Sequence, residues 1–270
     1  METGGVAPAL DQSSQLVRTQ VGVTLGLPVG LQFGVSIPLD LKNTTSTWSV
    51  NGSPYQPTWD GFDHSDGLAF GPGDVRLWFG IADAPVGVGG LLLGVWGGAS
   101  VPTGRPPDDP STRGFADDRR REFGSGTFAP MLRTMVFWTS ANFGVFASGE
   151  VRATVYATPK GYRASSAVAG SVGPTLMLPA PLDKLRLRLM LDTSFLTPEA
   201  WHGTELTDSG RATAGVTMGA TVQLAKKASL DFSLSTRAYE LIRGNQFQFP
   251  LTAGIGFTAF AGPPKKAPPK

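Results

Sequence analysis

The chain has 270 residues, of which 41% are hydrophobic and only 16% are charged, and its formal net charge is +2. The apolar share excludes wholesale disorder, and the near balance of charge gives no support to a nucleic-acid partner. The absence of cysteine excludes disulfides, thiolate catalysis and cysteine-based metal sites. The sequence contains no run of 18 apolar residues, so it predicts no membrane-spanning helix. Residues 1–15 lack the basic start and the apolar segment of a signal peptide.

Alternation of apolar and polar residues with a period of two recurs along the chain and predicts β-strands. In the segment KLRLRLMLDT, the leucines from Leu185 to Leu191 occupy one face, and Arg186, Arg188, Met190 and Asp192 occupy the other. No stretch has a sustained helical period. We count about eleven strands by this criterion. In chain order they are 15–27, 31–41, 73–83, 88–102, 126–138, 143–156, 163–178, 184–195, 212–225, 229–241 and 248–260.

The length and the faces of these strands favour a membrane protein. Strands of soluble proteins usually have about five or six residues, whereas a tilted membrane-spanning strand needs about 9–11. In the hairpin at 71–104, one face is apolar along both strands. The other face carries charged residues on the first strand and glycines on the second. We therefore predict that the apolar face meets lipid and that the mixed face lines the inside of a closed barrel.

The connections between the predicted strands fall into two alternating kinds. The short ones are 28–30, 84–87, 140–142, 180–183 and 226–228, and the longer or more polar ones are 42–72, 103–125, 157–162, 196–211 and 242–247. Short turns at one rim and long loops at the other are typical of outer-membrane barrels. We expect the short turns to face the periplasm and the long loops to face outward.

Three segments in the first half of the chain carry a family resemblance. They are GPGDVRLWFGI at 71–81, VPTG at 101–104 and FGSGTFAPMLRTMVFW at 123–138. Together they resemble the outer-membrane proteins grouped with the MetA pathway of phenol degradation. The matching residues, within about 70–156, are Gly73, Asp74, Pro102, Thr103, Gly104, Gly124 and Gly126. The resemblance implies a barrel in the outer membrane that acts as a channel, and it says less about the solute that passes.

The predicted organisation is an N-terminal extension at 1–14, a transmembrane barrel at 15–260 and a Pro- and Lys-rich periplasmic tail at 261–270. Family members usually have one more strand before the one predicted at 15–27. Bacterial barrels have an even number of strands, so we expect about twelve in the complete protein. In that case either residues 1–14 form a strand or further sequence precedes Met1. The first and last visible strands are expected to run in the same direction.

Charged residues at the inward parity of these strands are the candidate site. They could form a polar lumen that prefers anionic or polar solutes, or they could pair across the lumen and stiffen the barrel, because an unpaired buried charge is costly. These lumen-lining candidates are Arg18, Asp40, Asp74, Arg76, Arg133, Glu150, Arg152, Arg186, Arg188, Asp192, Asp231 and Arg237.

Aromatic residues and glycines complete the predicted faces. Trp78 and Trp96 have inward parity, and small residues beside them would leave room for bulky neighbours or for a passage. The inward glycines are at 22, 26, 94, 98, 215 and 219. Aromatic girdles at the membrane interfaces are expected to use some of the residues Trp138, Trp201, Tyr156, Tyr162 and Tyr239.

A catalytic or metal site has weaker support in the sequence. A barrel hydrolase needs a base within reach of its nucleophile, yet His64 and His202 fall in predicted loops and no G-x-S-x-G motif occurs. Ser125, between glycines, suits a strand start equally well. Asp60, Asp63, His64 and Asp66 could offer oxygen ligands to a hard cation, without matching an EF-hand. The run Arg119, Arg120 and Arg121 is either a solvated loop or a contact for lipopolysaccharide phosphates.

The sequence therefore predicts an all-β protein, an antiparallel transmembrane β-barrel of the cell outer membrane. The predicted function is passive movement of a small solute, with loops 42–72 and 103–125 at the gate. The expected partners are outer-membrane lipid, lipopolysaccharide and that solute, and no cofactor or catalysis is expected. A plugged barrel with a structural or anchoring role is the alternative, and a hydrolase is a third.

Overall fold

The computed structural model describes residues 9–26, 30–54, 67–87, 89–105, 123–206, 209–225, 228–242 and 251–259, and every regular element in these ranges is a β-strand. No helix in these ranges has the length and apolar character needed to cross a bilayer, which has no bearing on crossing by β-strands. The strands are β1 (Ala9–Gly26), β2 (Leu31–Val50), β3 (Ser53–Pro54), β4 (Gly67–Pro72), β5 (Val75–Pro85), β6 (Leu91–Val101), β7 (Ala129–Thr139), β8 (Phe143–Arg152), β9 (Tyr162–Arg163), β10 (Ala167–Met177), β11 (Leu185–Leu196), β12 (Ala200–Trp201), β13 (Thr204–Glu205), β14 (Arg211–Ala225), β15 (Ala228–Ile242) and β16 (Leu251–Ala259).

The main sheet is an antiparallel meander in which each long strand pairs with the next long strand along the chain. Its order is β1-β2-β5-β6-β7-β8-β10-β11-β14-β15-β16, so the predicted series of eleven long strands is confirmed. Because every neighbour in this path is antiparallel, β1 and β16 run in the same direction, as predicted. The connections at 86–90, 140–142 and 178–184 lie at one end, here called the short-turn rim, and the longer connections lie at the other, the long-loop rim.

One face of this single sheet is an interior. Ser36 and Asp40 on β2 and Thr217 on β14 are polar, lie on the same face and are buried. A flat sheet without a second layer would leave both faces exposed, so the burial of this face indicates that the sheet curls around it.

The first hairpin is longer than the sequence predicts. β1 begins at Ala9 and β2 continues to Val50, so residues 9–14 belong to a strand rather than to the N-terminal extension, and residues 42–50 belong to a strand rather than to a loop. Polarity suggested a loop in this region. Threonine, however, has high β-propensity whatever its polarity, and the backbones of Ala9–Gln15 and Asn43–Ser49 pair continuously. Asn51 and Gly52, both at positive φ, then turn the chain into β3.

Two predicted loops combine at the long-loop rim to form a second, three-stranded sheet. β12 pairs with β13 and with β9, so the segments 153–166 and 197–210 are joined to each other. Tyr162, Ala164 and Trp201 form its buried core, with Leu206 packed beside them. Tyr162 and Trp201 are therefore core residues of this rim sheet. Each ring packs against the other at a centroid distance of 5.2 Å, so these two aromatics belong to the rim-sheet core, and any girdle would use others of the expected set.

Candidate functional site

The two faces of the main sheet have the opposite polarity to those of a soluble protein. Ser36, Asp40 and Thr217 are buried, whereas Leu191 is 59% exposed and Ile255 is 78% exposed. We call the face that carries Ser36 and Asp40 the inner face and the face that carries Leu191 the outer face. Large apolar side chains are exposed on the outer face of all eleven long strands, which is the arrangement that lipid requires.

Part of the inner-face charge is paired. Arg18 binds Asp40 through two hydrogen bonds of 2.7 Å, and the Asp40 side chain is only 2% exposed. Arg188 lies 3.7 Å from Asp231, whose carboxylate also accepts a hydrogen bond from the Thr221 hydroxyl. The Arg18–Asp40 and Thr221–Asp231 contacts join neighbouring strands, and the Arg188–Asp231 pair reaches from β11 to β15 across β14. These contacts agree with the stiffening role considered from the sequence.

A bulge in β15 adds a carboxylate that strict alternation misses. The register shifts between the pair Gly215–Arg237 and the pair Ala214–Tyr239, so Ala238 is the extra residue. Tyr239 consequently turns to the outer face, and Glu240 turns inward to bind Arg237 and Arg211, the latter at 3.7 Å. A period-two count would place Glu240 in lipid. Its charge is the one sequence signal that could have revealed the bulge.

Several inner-face arginines have no carboxylate within ion-pairing distance among the described residues. Arg76, Arg133, Arg152 and Arg186 form none of the ion pairs seen in these ranges. Arg133 and Arg186 are also exposed to solvent although they lie on the inner face. Among the described residues of this face, arginines outnumber carboxylates, which gives the described part of the face a positive bias.

Hydroxyl groups line the wall formed by β10, β11, β14 and β15. Ser171 donates a 2.6 Å hydrogen bond to Asp192, and the second carboxylate oxygen of Asp192 is buried without a hydrogen-bond partner among the described residues. Ser194 and Thr213 share a 2.7 Å hydrogen bond. The wall formed by β5 to β8 carries the aromatic surfaces of Trp78 and Trp96 in addition to its charged residues.

Two indoles lie flat on this second wall because glycines leave room for them. A Cβ added at Gly34 would collide with the ring of Trp78, and one added at Gly94 would collide with the ring of Trp96. The Trp96 Nε1 donates a 3.3 Å hydrogen bond to Gln32, two strands away. The inward parity predicted for both tryptophans agrees with these contacts, and the glycines accommodate bulky neighbours as predicted.

Asp74 has a different environment from the other charged candidates. It lies between β4 and β5 at the long-loop rim, where its carboxylate accepts hydrogen bonds from Gly104 N at 3.1 Å, Ser125 N at 2.7 Å and Ser125 Oγ at 2.6 Å. A Cβ at Gly124 would come within 2.6 Å of the carboxylate. The Thr103 hydroxyl adds two hydrogen bonds: it accepts one from Val75 N and donates one to Gly73 O. We call this cluster, Gly73–Asp74 with Thr103–Gly104 and Gly124–Ser125, the Asp74 knot.

The hydrolase candidates lie in different parts of the long-loop rim. Ser125 belongs to the Asp74 knot, where its hydroxyl is engaged by a carboxylate. His202 belongs to the rim sheet, at positive φ, with its imidazole against Gly161. Ser125 and His202 therefore belong to two different clusters, the Asp74 knot and the rim sheet.

The remaining loop hypotheses lie outside the described residues. These are the possible cation ligands Asp60, Asp63, His64 and Asp66, the arginine run 119–121, and the tail at 261–270. Within the ranges that are described, no group of three or more His, Asp or Glu side chains could hold a metal ion.

A lipid-compatible outer face, a polar inner face and an antiparallel meander of long strands define this chain as an outer-membrane β-barrel in fold. No family model matches the chain, and no curated protein matches it significantly. Its fold is similar to that of an outer membrane channel from Pseudomonas putida F1, with a TM-score of 0.59 and 13% identity over 91% of this chain and 81% of the other. The predicted fold class is confirmed, and the outer membrane is where this fold class resides.

Two structures of OmpT, an outer membrane protein of Vibrio cholerae folded in vitro, also match. The trimer form has a TM-score of 0.37 and 10% identity over 94% of this chain and 99% of the other. The second structure has a TM-score of 0.36 and 12% identity over 95% of this chain and 98% of the other.

Proposed function

We propose that this protein is a passive channel that lets small solutes cross the outer membrane, with a preference for anions. The observation that carries the proposal is the set of inner-face arginines without a carboxylate partner among the described residues, two of which, Arg133 and Arg186, are exposed to solvent. A charge that serves only to stiffen a wall is expected to be paired. An exposed, unpaired guanidinium on an interior wall remains available to a passing solute.

The electrostatics of the inner face supply the mechanism. Charges of one sign along a low-dielectric passage raise the local concentration of oppositely charged solutes. Arg76 on β5 and Arg152 on β8 lie on the same inner face, so a small anion would be attracted to the part of the wall between them. Because the indoles of Trp78 and Trp96 lie flat on the wall, they line the passage without standing across it.

The partners follow from the two faces. The outer face would contact outer-membrane lipid, with lipopolysaccharide beside the long-loop rim, and the inner face would contact the solute. The polar wall of β10 to β15 offers hydroxyls and the opposite wall offers aromatic surface, so a small organic anion fits this interior as well as an inorganic one does.

The resemblance to the MetA-pathway family is part of this proposal. Five of the seven matching residues, from three separate segments, meet in the Asp74 knot, where Gly104 and the neighbouring Ser125 donate to a single carboxylate. The five are Gly73, Asp74, Thr103, Gly104 and Gly124. One shared structural role for these residues supports a common family pattern. On this view the motif joins the strand ends at the mouth of the barrel and does not itself recognise the solute.

A plugged barrel is the second candidate, and one observation favours it. Thr127, Asp40 and Ser36 are almost completely buried, so the interior is densely filled where β1, β2 and β7 approach the long-loop rim. If that filling extended across the lumen, the protein would anchor or stiffen the membrane and would not conduct. We further expect no hydrolase activity, because the Ser125 hydroxyl is bound to Asp74.

Reconstitution in planar lipid bilayers under a KCl gradient tests the proposal. We expect discrete conductance steps and a reversal potential displaced toward that of chloride. Arg76→Gln should reduce the displacement, whereas Arg163→Gln, a matched loss of an exposed arginine from the rim sheet, should leave it unchanged. Folded protein that never conducts would favour the plugged barrel. Phospholipid hydrolysis that is lost in Ser125→Ala would contradict the expectation of no catalysis.

A further inference from the structure

Five inner-face residues on five adjacent strands form a row that includes the indole of Trp96 and the guanidinium of Arg133. Gln32, Gly80, Trp96, Arg133 and Glu150 are successive partners in register on β2, β5, β6, β7 and β8. Residues directly opposite each other on one face of an antiparallel pair have Cβ atoms about 4.5–5.5 Å apart. Arg133 therefore has two close neighbours, the ring of Trp96 on one side and the carboxylate of Glu150 on the other.

The indole of Trp96 is held in a single orientation. Its Nε1 donates to Gln32 across Gly80, and a Cβ at Gly80 would come within 2.8 Å of its Cδ1. Its six-membered ring lies over Gly94, where a Cβ would also collide with it. The ring is thus fixed flat on the wall by one hydrogen bond and two glycines.

Arg133 turns toward the ring and not toward the carboxylate. Its guanidinium carbon lies 5.9 Å from the centre of the Trp96 ring, within the range of a cation–π contact. Both Arg133 and Glu150 belong to the described part of the chain, and no ion pair within 4.0 Å joins them. Arg133 is exposed on this inner face.

We propose that Trp96 is a positioning residue for ion selectivity: it draws Arg133 away from Glu150 and so keeps the guanidinium charge available to permeating anions. This inference rests on the proposed channel function. An exposed cation–π contact and an exposed ion pair are of similar strength. The fixed indole therefore decides which of the two Arg133 makes, and Gln32 contributes by fixing the indole.

The anion-over-cation permeability ratio, obtained from the reversal potential in a KCl gradient, tests the inference. In Trp96→Leu, Arg133 is expected to pair with Glu150, and the ratio should fall toward that of the double variant Arg133→Gln with Glu150→Gln, in which the two positions also carry no net charge. In the Glu150→Gln background the carboxylate is absent, so adding Trp96→Leu should leave the ratio of Glu150→Gln unchanged. Trp96→Phe, which keeps a ring face, should lose less selectivity than Trp96→Leu and guards against a variant that fails to fold.

The outcomes separate the inference from the function on which it rests. If the wild-type protein folds but does not conduct, the proposed channel function is wrong. A conducting Trp96→Leu variant with the wild-type ratio overturns the positioning role. So does a Trp96→Leu effect of the same size in the Glu150→Gln background, because Trp96 would then act by some route other than control of the Arg133–Glu150 pair.

Discussion

Asp74 illustrates how a single side chain can organise residues that are far apart in the sequence. One carboxylate accepts hydrogen bonds from the turn after β6 and from the segment before β7, while Gly73 N donates to Pro38 O on β2. Glycines surround it because a Cβ at Gly104 or Gly124 would meet neighbouring backbone. The knot therefore joins four strands at one mouth of the barrel through a residue that is 9% exposed.

Replacing Asp74 with Asn should destabilise this mouth. The carboxamide has only one acceptor oxygen, so its NH2 group would face a donor, and a lost hydrogen bond to a charged group costs about 1.5–3 kcal/mol. Urea unfolding of the protein in lipid, monitored by tryptophan fluorescence, should show the loss as a lower free energy of unfolding. Ser125→Ala removes only the hydroxyl partner and should cost less. Equal stability of Asp74→Asn and wild type would show that the knot contributes little.

Within a single strand, adjacent residues lie on opposite faces of the sheet and differ in exposure. On β11, Leu191 is 59% exposed on the outer face, while Met190 beside it is partly buried on the inner face opposite Thr217. The edge strand β1 lacks this contrast, because residues 17–26 are exposed on both faces. In β15 the alternation shifts at Ala238, where the bulge restores Glu240 to the inner face.

Introducing an arginine at these two adjacent positions should have opposite outcomes. Leu191→Arg places a charge in lipid near the middle of a strand, at a cost of roughly 2–4 kcal/mol at the bilayer midplane. Met190→Arg places the same side chain on the inner face near Asp192 and should insert normally. Folding into lipid vesicles, read from the shift in electrophoretic mobility of the folded barrel, measures both. Similar insertion of the two variants would mean that the assigned faces are wrong.

At the scale of the whole molecule, the two rims differ in construction. The short-turn rim closes with tight turns, while the long-loop rim carries the Asp74 knot, the extended β1–β2 hairpin and the rim sheet built around Tyr162 and Trp201. Elaboration at one end is typical of barrels whose long loops face outward. It also brings the buried residues Ser36, Asp40 and Thr127 close to the mouth that a solute from outside would enter.

The orientation can be tested by labelling, because the chain contains no cysteine. A bulky polyethylene-glycol maleimide should label Lys160→Cys, at the long-loop rim, on intact cells. It should leave Asn142→Cys, at the short-turn rim, unlabelled until the outer membrane is permeabilised. The reverse pattern would invert the barrel and place the short turns outside.

The sequence by itself determined the strands and their faces, because both depend on local properties. Alternation in segments such as Leu185–Leu191, together with strand lengths near those needed to cross a bilayer, was sufficient to predict an antiparallel meander with an apolar outer face. The inward parity of Trp78 and Trp96, and the need for small residues near them, followed from the same alternation.

Only the tertiary structure decided which partner each inner-face charge takes, because that choice depends on which strands are neighbours and on the space between them. Arg133 faces Trp96 and not Glu150, since Gln32 and two glycines from other positions fix the indole. Glu240 turns inward through a bulge, and Tyr162 and Trp201 meet because two loops join. The contacts of Arg133, Tyr162 and Trp201 join segments that are distant in the sequence, so no pattern within a single strand predicts them. For Glu240, the charge at an outward position is the one signal within the strand itself.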